Sequence, residues 1–175
     1  MREEAIPEDI VESLIRCASW APNHKLTEPW RFAILGPETR LRLAQVLLEY
    51  RLSTVREENT ASAGVMHERI WNRFVRVGAV VAVSLVVNQD DARQVRDDLA
   101  SVCAAIQNMQ LAAWSFGIGA CWVNGLVTRV SEVNGLLGLN SEYERLIAVI
   151  TLGYPAEIPA AIARKDLSAV TRRLP

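Results

Sequence analysis

The chain has 175 residues, of which 50% are hydrophobic and 22% are charged, with a formal net charge of −1. This length and composition are typical of one globular domain with a real core, and they exclude a disordered segment. Because acidic and basic residues nearly cancel and are interspersed, the chain has no basic surface for a polyphosphate backbone, and we expect no nucleic-acid partner.

The cysteines and the N-terminus indicate in which cellular compartment the protein is expected. Cys17, Cys103 and Cys121 are too widely spaced for a disulfide framework or a paired-cysteine metal site. We therefore expect buried thiols, a reducing environment and no metal centre. The charged N-terminus leads into no apolar signal segment, and no hydrophobic run is long enough to cross a bilayer as a helix. These features predict a cytoplasmic protein without a membrane partner.

The first half of the chain predicts helices around one strand. Hydrophobic periodicity and turn residues give a helix around Ile10–Ala18, a strand at Trp30–Leu35, a helix with Leu41, Ala44, Leu47 and Leu48 facing inward, and a helix at Ala63–Val77. The polar, aperiodic stretch Ser53–Ser62 is predicted to be a mobile excursion.

The second half predicts the centre of the molecule. Ala79–Val87 is a valine-rich apolar run, as expected of a central strand covered on both faces. A long helix is predicted from Asp97 to Phe116, ended by Gly117, with Asp97 and Asp98 in a solvated first turn. Its inward stripe is predicted to contain Leu99, Val102, Ile106, Met109, Ala113 and Phe116, while Ala104, Ala105, Leu111 and Ala112 make the other side apolar too. A helix that is apolar nearly all round needs further cover, which a second subunit can supply.

The remaining elements complete a mixed α+β domain. A glycine-punctuated stretch at Gly119–Gly125 is followed by a weak helix at Ser131–Leu137 and a strand at Arg145–Leu152. No internal repeat or linker divides the chain, so residues 1–175 are predicted to form a single domain. The tail, residues 156–175, carries apolar and basic residues without a clear element, and we expect it to wrap over a partner subunit.

The segment Ala21–Phe32, APNHKLTEPWRF, concentrates polar side chains in a loop stiffened by two prolines. Rigid loops of this kind often carry binding sites. Turn chemistry alone also accounts for the proline, asparagine and threonine, with His24 and Lys25 simply solvated. From the residues alone both interpretations stay open.

This segment resembles the cofactor loop of the nitroreductase family, in the short subgroup that has a histidine there. Three further segments resemble the family in the same order: Ala105–Ala113 the central helix at the dimer interface, Gly117–Gly125 the turn and strand after it, and Leu152–Ala156 with Arg164 and Lys165 the last strand and tail. The resemblance implies an α+β fold with a central, mostly antiparallel sheet flanked by helices. It also implies a homodimer with a long buried central helix.

The resemblance further implies an FMN site assembled from two subunits. Pro22, Asn23 and His24 match the loop that one subunit places against FMN bound mainly by the other. The matching turn, which passes the flavin ring with its backbone, is Trp122, Val123, Asn124 and Gly125. A basic tail residue commonly meets the FMN phosphate, and Arg164 is the first candidate and Lys165 the second. A solvated pair in a tail is the alternative for these two.

The activity implied by the resemblance is flavin chemistry. NADH or NADPH would reduce FMN, and an electron-poor acceptor such as a nitroaromatic or a quinone would then be reduced in ping-pong fashion, with no catalytic side chain required. Hydrolase and dinucleotide-fold interpretations lack support, because no nucleophile–histidine spacing occurs and Gly117-Ile118-Gly119 follows a helix rather than a strand. Dehalogenating and flavin-fragmenting members of the family stay open.

One departure from the family pattern concerns the N-terminus. Family members usually have an Arg-Arg-Ser motif before the first core helix, and this sequence has only Arg2 there. Loss of two phosphate contacts would weaken FMN binding. The alternative function is therefore a catalytically weak or inactive dimeric flavin-binding protein on the same fold.

Overall fold

The computed structural model describes residues 1–54 and 61–174, with no side-chain description at 61–63. Its helices are α1 (Glu8–Ser19), α2 (Pro37–Thr54), α3 (Ala61–Phe74), α4 (Ala92–Ser115) and α5 (Ser131–Leu136), and its strands are β1 (Trp30–Ile34), β2 (Ala79–Val86), β3 (Gly119–Val123) and β4 (Glu144–Gly153). Short 3-10 turns lie at His24–Leu26, Leu126–Thr128 and Leu167–Ala169.

The four strands form one antiparallel sheet in the order β1-β2-β4-β3. All of β2 but its last residue is buried, as its continuous apolar sequence predicts. One face of the sheet packs against α1 and α4, where Leu14, Ile106 and Met109 are fully buried. The other face packs against α2, α3 and α5 through Leu43, Phe74 and Val133. The predicted α+β architecture with a mostly antiparallel sheet is confirmed.

Helix α4 begins at Ala92, five residues before the predicted start. Asp91 caps it, because its carboxylate accepts a hydrogen bond from the Gln94 amide at 2.9 Å. The earlier start places Asp98 inside the helix, where it is 3% exposed, so the predicted solvated first turn is wrong. The predicted C-terminus is confirmed, since Gly117 has a φ of 70° directly after the cap residue Phe116.

Several predictions of which side chains face inward need correction. Leu99 of α4 and the cap residue Phe116 are 39% and 46% exposed, so the inward stripe is narrower than predicted. Leu41 of α2 points outward, and the neighbouring Leu43 fills the core position instead. The polar excursion predicted at Ser53–Ser62 is partly helical, because α2 extends to Thr54 and α3 starts at Ala61; residues 55–60 lie outside the described residues.

The cysteines are not the buried set that the sequence predicts. Cys17 and Cys121 are exposed at the surface of this chain, and Cys103 is half-buried on α4. Burial raises the pKa of the Cys103 thiol above its ordinary value. Their helix and edge-strand positions explain the difference, because an outward-facing cysteine on either element needs no core partner.

Candidate active site

The Pro22–Glu28 loop connects α1 to β1 and is built around Asn23. The Asn23 side-chain oxygen accepts a hydrogen bond from the Glu28 amide at 3.0 Å, which closes the loop across five residues. Within it, Lys25, Leu26 and Glu28 have positive φ angles of 58°, 53° and 44°. Non-glycine residues rarely adopt this conformation, and such residues cluster at functional sites.

Helix α4 and its cap residue Asp91 hold the Pro22–Glu28 loop in place through side-chain contacts. The Thr27 hydroxyl donates a hydrogen bond to Asp98 Oδ1 at 2.6 Å, and the Gln94 amide donates to the same oxygen at 2.9 Å. Lys25 Nζ lies 3.8 Å from Asp91 Oδ2, at the start of the helix. Pro22 and His24 are exposed beside these anchors, so a ligand has access to both.

The Trp122–Gly125 segment covers the last two residues of β3 and the turn that follows, and it offers exposed backbone and one indole side chain. Trp122 is half-buried against the core, and its buried Nε1 has no hydrogen-bond acceptor among the described residues. Val123 packs on the opposite side of the sheet. Asn124 and Gly125 are exposed, the Asn124 carbonyl accepts from the Thr128 hydroxyl at 2.5 Å, and the space where a Gly125 Cβ would lie is open to at least 4 Å. A planar ring can therefore approach this backbone closely.

The structure does not bring these two groups of residues together within one chain. The Pro22–Glu28 loop precedes β1, and the Trp122–Gly125 segment lies at the C-terminal end of β3. Strands β1 and β3 are the two edges of the sheet. Three strand spacings separate the edges, about 14 Å at the usual spacing. The antiparallel registers nevertheless direct both segments toward the same end of the sheet. The loop lies beyond Trp30, at that end, whereas Val123 is level with Ala33 through Val149 and Ala82.

Arg164 and Lys165 belong to the tail of the chain. They follow β4, whose last residue Gly153 pairs with Gly119 at the opposite end of the sheet. Both are exposed, as is the whole described tail from residue 156 to 174. Arg2 lies where this tail begins, because its amide donates to the Tyr154 carbonyl at 2.8 Å and its guanidinium is 5.5 Å from the Tyr154 ring centre.

The residues that fix the Pro22–Glu28 loop could not be found from the sequence. Thr27 belongs to the polar segment that the sequence singles out, but its partner Asp98 is 71 positions away. Periodicity reports only local faces, so no sequence signal connects the two. Across residues 1–54 and 61–174, no group of histidine, cysteine or carboxylate side chains is arranged to hold a metal ion. Within the same residues, no helix has the length and apolar composition needed to span a membrane.

Comparison with known proteins gives one consistent result. The model of the nitroreductase family matches residues 2–154. A Bacillus subtilis (strain 168) protein provisionally named NAD(P)H nitroreductase YfhC is 34% identical over 169 residues, which are 95% of this chain and 83% of that protein.

Solved structures agree with the family match. A nitroreductase-like family protein from Bacillus cereus superposes with a TM-score of 0.82 at 27% identity, covering 99% of this chain and 88% of that one. The FMN-dependent nitroreductase NfnB from Mycobacterium smegmatis, solved in complex with NADPH, shares the fold with a TM-score of 0.73 at 21% identity, covering 98% and 90%. This chain therefore belongs to the nitroreductase family, a family of oxidoreductases, as the four segments of its sequence predict.

Proposed function

We propose that the protein is an FMN-dependent NAD(P)H oxidoreductase that reduces electron-poor acceptors, such as nitroaromatics or quinones, and that it works as a cytoplasmic homodimer. The observation that carries this proposal is the position of the two candidate half-sites. They lie on opposite edges of the sheet and both leave it toward the same end, so neither edge alone offers the complete set. Two copies that join edge regions of this kind can assemble one site from the loop of one copy and the turn of the other.

The residues present fit a flavin. The open space at Gly125 and the exposed residue Asn124 allow a flat ring to approach, and the buried Trp122 Nε1 is a donor without an acceptor in the described part of the chain. Asn23 and His24 add polar groups from the loop. Arg164 and Lys165 supply positive charge for a phosphate, from a tail long enough to reach beyond its own subunit.

The chemistry divides between the cofactor and the chain. When bound, FMN supplies two-electron transfer between NAD(P)H and the acceptor. The chain's own residues would bind the cofactor and orient it. The Trp122–Gly125 turn passes the ring with its backbone, and the Pro22–His24 part of the loop covers it from the other subunit. With FMN bound, NAD(P)H and the acceptor would bind in turn beside the Trp122–Gly125 segment, which predicts ping-pong kinetics.

The surface of the chain supports the homodimer. Leu111 and Trp114 on the outer side of α4 are 61% and 59% exposed, and Phe116 beside them is 46% exposed. Large exposed apolar patches on soluble proteins commonly mark interfaces. The tail adds exposed apolar side chains of its own, at Ile158, Ile162, Leu167, Val170 and Leu174. We propose that residues 1–175 form one domain whose tail, residues 156–175, wraps over the partner subunit.

The first experiment tests cofactor retention and turnover in the purified full chain. The protein is incubated with excess FMN, desalted and examined by absorbance, and NADH and NADPH oxidation is then followed with a quinone and a nitroaromatic acceptor. Retained flavin and an oxidation rate above that of free FMN are expected. Retained flavin without such a rate would establish the alternative, a flavin-binding protein with little or no turnover. A colourless protein would overturn both.

Substitutions in the tail test the phosphate assignment. In the double variant Arg164→Ala/Lys165→Ala we expect FMN affinity to fall at least about tenfold, because a hydrogen bond to a charged group contributes about 1.5–3 kcal/mol. Arg172→Ala/Arg173→Ala is the matched control, since it removes the same charge from the same exposed tail. Equal losses in both double variants would mean that only overall charge matters, and the assignment would be wrong.

A further inference from the structure

Asp98 is a buried carboxyl group that the proposed chemistry does not use. Its side chain lies on α4 at 3% exposure, and one of its oxygens, Oδ1, accepts hydrogen bonds from both Thr27 and Gln94. Burying a carboxylate is unfavourable unless it is hydrogen-bonded. The group therefore stabilises the fold only while both donors stay in place, and one donor belongs to the Pro22–Glu28 loop.

That loop needs an external anchor. Three of its residues have positive φ without being glycine, and Leu26 is 83% exposed, so its side chain packs little against the rest of the chain. Strained conformations of this kind persist only where the surroundings over-determine them. Asn23 closes the loop on itself through the Glu28 amide, whereas Thr27 connects the loop to a long helix of the core.

We propose that Asp98 is a positioning residue for cofactor binding: through the Thr27 hydroxyl it fixes the Pro22–Glu28 loop in the conformation that contacts FMN. The inference rests on the proposed function for the identity of the ligand. Asp98 itself touches neither ligand nor acceptor. It acts by lowering the conformational cost that the loop would otherwise meet when the cofactor binds.

Gln94 restricts the orientation of the Asp98 carboxyl group. Gln94 is 6% exposed and donates to Asp98 from one helical turn earlier, which restricts the rotation of the carboxyl group. Its own Oε1 is buried and has no donor within residues 1–54 and 61–174. An asparagine at position 98 has an oxygen to accept from Thr27 and an amide to donate to this orphaned Oε1. Asp98→Asn should therefore restore much of the anchor, whereas Asp98→Leu should remove it.

The first part of the test uses the protein without FMN. Amide hydrogen exchange is measured at Glu28, whose N–H is bonded to Asn23. In Thr27→Val and in Asp98→Leu we expect this amide to exchange at least about tenfold faster, and in Thr27→Ser and Asp98→Asn to stay near the wild-type rate. Ser101→Ala is the matched control, because Ser101 is also buried on α4 and its hydroxyl donates to the Asp97 carbonyl, away from the loop.

The second part measures FMN binding by quenching of flavin fluorescence. The dissociation constant is expected to rise about ten- to a hundredfold in Thr27→Val, the range that corresponds to one charge-assisted hydrogen bond. Thr27→Ser, Asp98→Asn and Ser101→Ala are expected to stay within about threefold of wild type. Unchanged Glu28 exchange and unchanged FMN affinity in Thr27→Val would overturn the inference.

The two parts separate this inference from the proposed function. If the wild-type chain fails to bind FMN, the proposed cofactor is wrong, while the exchange of Glu28 still decides whether Asp98 anchors the loop. If the wild type binds FMN and all variants lose melting temperature and affinity in parallel, Ser101→Ala included, then Asp98 serves general stability only. A merely structural role would lower the melting temperature without a selective effect on loop exchange.

Discussion

Gly78 shows how closely the N-terminal segment packs on the start of β2. A Cβ added there would lie 2.8 Å from both the Glu4 carbonyl oxygen and Ile6 Cγ1. The carbonyl is backbone and cannot rotate away, and the Ile6 amide already donates to the Gly78 carbonyl at 3.4 Å. Residue 78 is thus restricted to glycine by a neighbour rather than by its own φ angle.

We therefore expect Gly78→Ala to lower the free energy of unfolding by about 1–3 kcal/mol, the usual cost of overpacking. Urea denaturation measures the change. Gly135→Ala is the control, since Gly135 lies in α5 with no atom within 4 Å of a new Cβ. There alanine should raise stability by about 0.5–1 kcal/mol through helix propensity. A neutral Gly78→Ala would show that the N-terminal segment is not packed as described.

At the scale of the element, the capped start of α4 links stability to pH. The pKa of Asp91 lies below its ordinary value, chiefly because the Gln94 amide donates to its carboxylate, with a further contribution from the charge of Lys25. A carboxyl group whose pKa is lower in the folded than in the unfolded chain favours folding when ionised. This contribution is complete above about pH 5 and is lost as the pH falls through the folded-state pKa.

Asp91→Ala should therefore destabilise the protein at pH 7 and have a much smaller effect at pH 3. The measurement is urea denaturation of both proteins at several pH values between these limits. Asp90→Ala is the matched control, because Asp90 is the adjacent acidic residue and does not cap the helix. A difference between wild type and Asp91→Ala that stays constant across the range would contradict the capping role.

The elements also show what the sequence could predict and what it could not. The central strand was predictable because eight consecutive apolar or small residues suit a strand covered on both faces. The first turns of α4 could not be predicted, because Arg93, Gln94 and Arg96 interrupt the apolar pattern. Only the capping residue Asp91 marks where the helix begins. Likewise, Leu41 and Leu43 fit a helical face almost equally well, and the position of the sheet decides between them.

The candidate site was predictable only as separate segments. The resemblance of APNHKLTEPWRF and of GIGACWVNG to family segments points to residues 22–24 and 122–125, yet nothing in either segment tells which copy supplies it. The sheet order adds that the two segments lie on opposite edges of the sheet within one chain. The anchor between Thr27 and Asp98 depends on tertiary packing and has no counterpart in local sequence.

At the scale of the whole molecule, we predict that the exposed apolar side of α4 forms the dimer contact and that the dimer is needed for the proposed flavin site. If two copies meet through Leu111 and Trp114, a charge placed there must be desolvated in the dimer and is not in the monomer. We expect Leu111→Glu or Trp114→Glu to weaken the dimer at least about thirtyfold, as for a central apolar contact of about 2 kcal/mol. Analytical ultracentrifugation measures the dissociation constant.

If each flavin site needs both copies, as we propose, FMN affinity should fall together with dimerisation and should recover at high protein concentration. Leu52→Glu is the matched control, since Leu52 lies at the end of α2 with 46% exposure and is far along the chain from α4. Its dimer and FMN constants should stay near those of the wild type. A Leu111→Glu protein that is monomeric yet binds FMN as tightly as the wild type would show that one chain holds the whole site, and the shared-site proposal would have to be abandoned.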